Sequence, residues 1–223
     1  MKKYTYLLLF AALLYGCKKE CTKKYTFLFP TTITPSSSTV HVGDTLWFES
    51  NVPEYILDVT SGGHFRFDSA SVSSDFQRFR ATMDIYRLDT TLLVSSLGDF
   101  RYILSKGDVS IYNSQAINTS SLSMKYAPLT KGYSSIKFAF IPQKKGSYII
   151  DLSQYGLQDD YLHHYVEPVN FDDKCEEYID AVKYWINNKG VHYELLKDSP
   201  NLSLKERSQL SIEQRSYCFV VLP

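Results

Sequence analysis

The chain lacks the sequence motifs that identify the common classes of enzyme. Its 223 residues contain no Gly-x-Ser-x-Gly elbow, no glycine-rich phosphate loop and no His-Glu-x-x-His zinc motif. Its 24 basic and 24 acidic residues cancel to a formal net charge of zero, so no overall positive field attracts nucleic acid. We therefore expect a protein that is not an enzyme, needs no cofactor and binds no nucleic acid.

An apolar run long enough to cross a bilayer is also absent. The run from Tyr4 to Gly16 follows Lys2 and Lys3, and it is shorter than the roughly 20 residues that a membrane-spanning helix needs. A positive start followed by a short apolar core is typical of an export signal. We expect residues 1–16 to be a signal peptide that is cleaved, so that the mature chain begins at Cys17.

The end of this run resembles a known processing site. Leu14-Tyr15-Gly16-Cys17 resembles the lipobox of bacterial lipoproteins, in which an apolar, a variable and a small residue precede the cysteine. The resemblance implies that Cys17 receives a diacylglycerol and becomes the new N-terminus, with a further acyl chain such as palmitate on its amine. Two or three chains make membrane attachment effectively permanent. A plain secretory signal is the alternative.

Residues 17–24 are predicted to form a basic tether between the lipid and the folded domain. Lysines in this stretch gain about 1 kcal/mol each beside anionic headgroups. Cys21 is not expected to be the lipid acceptor, because Glu20 precedes it where processing requires a small residue. Residues 25–223 are long enough for a substantial hydrophobic core, and we expect one domain.

The composition of this domain favours a mainly β fold. The chain has 18 Tyr and 13 Phe, residues that pack well on half-buried pleated surfaces. Within residues 78–94, Ala81, Met83 and Ile85 alternate with polar residues, which is the period of a strand. Residues 134–152 are predicted to be a hairpin, and residues 53–77 and 113–131 to be long loops, where function is often located.

Two short stretches resemble immunoglobulin-like sandwiches. Residues 42–45, Val-Gly-Asp-Thr, resemble the turn that leads into the second strand of such domains in bacterial envelope proteins. The Pro142 to Gly146 turn followed by Tyr148 resembles their late-strand corner, which implies that Tyr148 is structural. We predict an immunoglobulin-like β-sandwich with a short helix near the C-terminus, over about residues 204–214, after a capping box from Ser203 to Glu206.

The segment 175–188 fits either a helix or a strand. Cys175, Ile179, Val182 and Ile186 recur at helical spacing, whereas Tyr178 to Ile186 also reads as a strand that turns at residues 187–190 into a second strand. We predict the hairpin. In an oxidising compartment we also predict a disulfide between Cys175 and Cys218 that clips this strand to the terminal strand, leaving open two buried thiols or a bond from either cysteine to Cys21.

Few residues suggest a ligand site. Trp47 and Trp185 are candidates to stack on sugar rings, although Trp47 lies between Leu46 and Phe48 and is predicted to be the core residue of the two. Oxygen and nitrogen ligands for a divalent metal occur close together in one acidic segment, but a solvated loop is the commoner explanation for such a segment. The weak metal candidates are Asp159, Asp160, His163 and His164.

Taken whole, the layout resembles the uncharacterised cell-envelope lipoproteins of Bacteroidetes. The resemblance implies a lipid anchor in the outer membrane, and the tether lacks the acidic run that resembles a surface-export signal, which favours the periplasmic face. Three functions are compatible with the sequence: a non-enzymatic binding or scaffolding module that contacts an envelope protein or glycan, a glycan-binding accessory lipoprotein, and a metal-dependent enzyme. We favour the first.

Overall fold

The computed structural model describes residues 21–66, 80–114, 119–130, 133–153, 175–187, 192–206 and 216–223. Within these ranges the chain forms strands β1 Cys21–Thr34, β2 Thr39–His41, β3 Leu46–Pro53, β4 Tyr55–Leu57, β5 His64–Arg66, β6 Arg80–Arg87, β7 Phe100–Lys106, β8 Asp108–Ser114, β9 Thr119–Lys125, β10 Ala127–Thr130, β11 Tyr133–Pro142, β12 Gly146–Ser153, β13 Cys175–Ile186 and β14 Ser216–Leu222. Helical turns occur at Leu97–Asp99 and Tyr193–Leu196 (both 3-10) and in α1, Leu202–Lys205.

Most of these strands belong to two six-stranded sheets. Sheet A has the order β10-β11-β3-β1-β13, and β7 also pairs with β11; sheet B has the order β2-β14-β12-β6-β9-β8. Strands β4 and β5 pair separately. The pairs β1–β13 and β2–β14 are parallel. The predicted fold class is confirmed: the protein is mainly β, with two sheets in a sandwich of the immunoglobulin-like type.

Alternation along the strands builds the core between the sheets. The predicted apolar positions of β6, β11 and β12 are all buried and belong to one cluster, because successive side chains of a strand point to opposite faces. Aromatic rings from both sheets meet there; the Phe100 ring lies 6.0 Å from Phe140 in sheet A and 4.9 Å from Tyr148 in sheet B, both edge to face. The abundant Tyr and Phe therefore serve largely as core residues.

The hairpin predicted for residues 134–152 is wrong, although its two strands are present. β11 pairs with β3, β7 and β10 in sheet A, whereas β12 pairs with β6 and β14 in sheet B. The turn between them crosses from one sheet to the other. Both strands have apolar residues at alternate positions. Placing the two strands in opposite sheets, with these residues facing each other across the core, buries more apolar surface than pairing the strands side by side in one sheet.

Tyr148 fixes this crossing, as its predicted structural role requires. Its hydroxyl donates towards Asp99 Oδ2 at 3.1 Å and lies 3.2 Å from the carbonyl oxygen of Lys144, four residues upstream. Burial and the negative charge of Asp99 raise the pKa of Tyr148 far above neutral pH, so the hydroxyl keeps its proton. The corner therefore joins the β11–β12 turn to the 3-10 turn that precedes β7.

Three predicted boundaries need correction. β6 ends at Arg87, and residues 88–92 form bends in place of the continuous strand that was predicted. The predicted loop 53–77 contains β4 and β5, and the predicted loop 113–131 contains β9 and β10. In β9, Ser121 and Ser123 alternate with the buried Leu122 and Met124, which is the pattern of a strand with one buried face.

The N-terminal strand begins earlier than the sequence indicates. Residues 21–24, which were assigned to the tether, form the first part of β1 and pair with β13. β3 joins β1 only from Thr31 onward, so the first part of β1 has β13 as its ladder partner among the described strands. The predicted signal peptide, residues 1–16, and the rest of the predicted tether lie outside the described residues.

The C-terminal segment is part strand and part helical cap. Cys175–Ile186 is a strand, as predicted, but Tyr193–Leu196 is a 3-10 turn and not the second strand of a hairpin. Asn187 turns the chain, with a φ of 51° and side-chain hydrogen bonds to both backbone groups of Ile33. Residues 192–206 contribute to the outer face of sheet B, where one buried cluster comprises Leu88, Ile149, Leu196, Leu204 and Cys218.

The short helix near the C-terminus is present but is capped by a different residue. α1 begins at Leu202, and the side chain of Asn201 accepts a hydrogen bond from the Leu204 N–H at 3.1 Å. Ser203, the predicted cap, lies inside the helix. The later part of the predicted helix, beyond Glu206, lies outside the described residues.

Candidate functional site

Both tryptophans of the chain are exposed on one surface, the outer face of sheet A. Trp185 on β13 is 45% exposed and Trp47 on β3 is 36% exposed. The prediction that Trp47 is a core residue is wrong. Its neighbours Leu46 and Phe48 are both fully buried, and because side chains alternate along a strand, the residue between them points outward.

Strand register fixes the spacing of the two tryptophans. Trp47 is paired with Thr34 and Trp185 with Pro30, so both flank β1 four residues apart along it. Two strand spacings of about 4.8 Å and four residues at about 3.3 Å each place their Cα atoms about 16 Å apart. A ligand that contacts both side chains must therefore be extended along the sheet.

Polar groups lie around Trp47 on the same face. Lys137 Nζ lies 5.5 Å from the Trp47 ring centre and donates to Glu49 Oε2 at 2.9 Å. The Asn51 side-chain amide donates to the other Glu49 oxygen, also at 2.9 Å. These two hydrogen bonds, from Lys137 and then Asn51, lower the pKa of Glu49 and keep its carboxylate ionised at neutral pH. We call Trp47, Trp185, Thr32, Glu49, Asn51 and Lys137 the tryptophan face.

This arrangement combines flat apolar area with fixed hydrogen-bonding groups. A tryptophan ring presents an apolar surface with an N–H donor at its edge. Beside it, the hydroxyl of Thr32, the amide of Asn51 and the carboxylate of Glu49 supply donors and acceptors, and all three are held by hydrogen bonds within the sheet. Such a surface can bind a molecule that has one apolar side and a rim of hydroxyl groups.

A second concave surface of about 490 Å³ lies beside the loop that follows β6. Its charged lining residues form ion pairs: Lys144 with Asp99 at 2.7 Å, and Arg87 with Asp99 at 3.6 Å. Arg87 also forms a bidentate pair with Asp89. Leu92 and Val94 on the rim are 69% and 55% exposed. These ion pairs stabilise the loop, and the contacts left for a ligand are largely apolar.

The predicted metal candidates lie outside the described residues. Asp159, Asp160, His163 and His164 all fall in the segment 154–174. In the part of the chain that the structure describes, no group of three or more His, Cys, Asp or Glu side chains could hold a metal ion.

The disulfide predicted between Cys175 and Cys218 is not found among the described residues. Cys175 begins β13 in sheet A, whereas Cys218 lies on β14 in sheet B, within the buried cluster on that sheet's outer face. The two residues therefore belong to different sheets, and the terminal strand is not a neighbour of β13. Cys17 lies outside the described residues.

Comparison with known proteins gives no assignment. No protein-family model matches the chain, and no curated protein matches it significantly.

Among the helices of the described residues, none is long and apolar enough to span a membrane.

Sequence reasoning identified the two tryptophans but missed the polar half of the tryptophan face. Glu49 and Asn51 alternate with Phe48 and Ser50, so strand periodicity already placed them on the side of Trp47. The sequence did not indicate that Lys137 lies beside Trp47, because that position depends on the pairing of β11 with β3.

Proposed function

We propose that this chain is a non-enzymatic, lipid-anchored binding protein of a bacterial cell envelope, and that its tryptophan face captures a polysaccharide. The observation that carries this proposal is the exposure of both tryptophans on the outer face of one sheet. A sugar ring has an apolar C–H face that stacks on an aromatic ring, and its hydroxyl groups suit the polar side chains around Trp47.

The sequence supports the anchored location. Leu14-Tyr15-Gly16-Cys17 resembles a lipobox, and β1 begins at Cys21, four residues after the proposed lipid acceptor. Trp47 pairs with Thr34, at the end of β1 furthest from that cysteine. The strand rises about 3.3 Å per residue, so in a lipid-anchored chain Trp47 would lie about 40 Å along β1 from the end of the strand nearest the lipid, and the tryptophan face would be held away from the membrane.

A chromatographic assay tests the ligand class. Full-length protein in detergent is passed over immobilised plant, host and bacterial polysaccharides. We expect retention on at least one of them. Trp47→Ala and Trp185→Ala should each weaken binding to it by about 30-fold, or about 2 kcal/mol, because each removes one of the two aromatic contacts of the tryptophan face.

Tyr55→Ala is the matched control, because Tyr55 is an aromatic residue of 52% exposure in the separate β4–β5 sheet. It should leave retention unchanged, and all three variants should keep the wild-type circular dichroism. Retention that survives both tryptophan changes would reject the tryptophan face as the site. An absence of retention by any polysaccharide would leave scaffolding of an envelope protein as the better function.

Lipidation is tested at Cys17. We expect Cys17→Ser to abolish metabolic labelling with a fatty-acid analogue, because the acceptor must be a thiol at this position. Cys21→Ser is the matched control and should keep its label, because Glu20 makes Cys21 a poor processing site. Label that persists on Cys17→Ser would contradict the lipoprotein assignment.

A further inference from the structure

The first residues of β1 and β13 are both cysteines, and they are register partners. The parallel ladder begins with Cys21 opposite Cys175 and continues to Thr31 opposite Ile186. These cysteines lie far apart in the sequence, which leaves a bond between them as one of several open pairings. The ladder brings them to the same end of the same two neighbouring strands.

Strand geometry makes this pair suitable for a covalent bond. Neighbouring strands lie about 4.8 Å apart, and residues in register occupy the same face of a sheet. Disulfides join residues whose Cα atoms are about 4.4 to 6.8 Å apart, so the spacing of a registered pair falls within that range.

Cys218 does not compete for either partner in this arrangement. It is fully buried on the outer face of sheet B with Ile149 and Leu196, and its strand pairs with β12 and β2. Reaching Cys21 or Cys175 would require a residue from this cluster to cross to the end of sheet A.

The strands around this cysteine pair show what a bond between them would stabilise. From Cys21 to Pro30, β13 is the ladder partner of β1 among the described strands, apart from one bridge between Phe27 and Asp58. Parallel pairs are slightly weaker than antiparallel ones, and a two-stranded unit is marginally stable without further support. The open end of this ladder is the end nearest the proposed lipid anchor.

We propose that Cys21 and Cys175 form a disulfide that closes the open end of the β1–β13 ladder and fixes the domain four residues from the lipidated Cys17. The two thiols lose two protons and two electrons and form one S–S bond, while the disulfide of an envelope thiol oxidase is reduced to two thiols. The proposal rests on the proposed function for its oxidising location. The bond holds β13 beside the membrane even when the ladder frays.

Two preparations of the full-length chain test this bond. One is isolated from the cell envelope after blocking thiols with N-ethylmaleimide, and the other is purified in reduced form and equilibrated with a series of reduced and oxidised glutathione. Peptide mapping without reduction should recover Cys21 linked to Cys175 in both. Reduction should lower the melting temperature of the wild type by about 5 to 10 °C and leave that of Cys21→Ser unchanged.

Cys218→Ala is the matched variant and should keep the Cys21–Cys175 link. Both cysteines alkylated in envelope material, or either one linked to Cys218, would overturn the proposal. Failure of export is a separate result: the protein would then be found in the cytoplasm, while glutathione would still produce the Cys21–Cys175 link in the purified chain. A purified chain that glutathione does not link in this way would overturn the disulfide, whatever its location.

Discussion

Replacing Asp58 with asparagine is expected to lower the free energy of unfolding by about 2 to 3 kcal/mol. The Asp58 side chain is fully buried and accepts hydrogen bonds from the Thr26 N–H at 2.7 Å, the Thr60 N–H at 3.2 Å, and the N–H and hydroxyl of Ser61 at 2.9 and 2.6 Å. An asparagine offers one acceptor oxygen and turns an NH₂ group towards the remaining donors. The side-chain attachment of the loop after β4 is then weakened, although the backbone hydrogen bond from the Val59 N–H to the Thr26 carbonyl oxygen still joins it to β1.

This contribution depends on pH in a defined direction. Burial acts to raise the pKa of Asp58, but the hydrogen bonds from Ser61, Thr26 and Thr60 outweigh it, and the pKa in the folded protein is lowered. A carboxyl group with a lowered folded pKa stabilises the protein fully above its unfolded pKa, which is about 3.9. That stabilisation is lost as the pH falls through the folded pKa.

Urea unfolding of the wild type and Asp58→Asn at pH 7 and at pH 3 measures both effects. The difference in unfolding free energy should be largest at pH 7 and smaller at pH 3, because only the wild type has a carboxylate to protonate. Ser61→Ala is the matched control; it removes one hydroxyl donor and should cost about 1 kcal/mol. An equal difference at both pH values would show that the charge of Asp58 does not stabilise the fold.

Local periodicity was sufficient to identify strands but not their partners. Ile136, Phe138 and Phe140, like Tyr148 and Ile150, alternate with less apolar residues, and all five are buried where the pattern predicted. A hairpin and a crossing between sheets have the same local pattern. The choice depends on which distant strands occupy the neighbouring positions, and β3 and β14 are remote in sequence from both segments.

The candidate site shows the same limit. Hydrophobicity alone placed Trp47 in the core with Leu46 and Phe48. Side chains alternate along a strand, however, so three consecutive residues cannot all point to the same face. Cys21 was assigned to a tether because four lysines lie within three residues of it, and its position opposite Cys175 follows only from the parallel ladder with β13. Side-chain type identified candidates, whereas long-range strand order decided which of them share a surface.

Replacing Gly107 with alanine is expected to destabilise the protein by about 3 to 4 kcal/mol. Gly107 joins β7 in sheet A to β8 in sheet B and has a φ of 87°, a conformation that costs a residue with a Cβ atom about 1 to 2 kcal/mol. A Cβ atom here would also lie 2.8 Å from the backbone oxygen of Lys125 and 3.0 Å from Cγ1 of Ile136. Because the first of these is a strand backbone atom, relieving the overlap must displace β9 and costs about 2 kcal/mol more.

Gly43 separates these two causes. Its φ of 90° is nearly the same, but a Cβ atom there would meet no other atom within 4 Å. Gly43→Ala should therefore show the backbone cost alone, about 1 to 2 kcal/mol, in the same urea unfolding experiment. The excess for Gly107→Ala measures how rigidly β9 and β11 hold the crossing between the sheets. Equal losses for the two variants would mean that the strands yield to the added methyl group, and that close packing at this crossing does not determine how the sandwich closes.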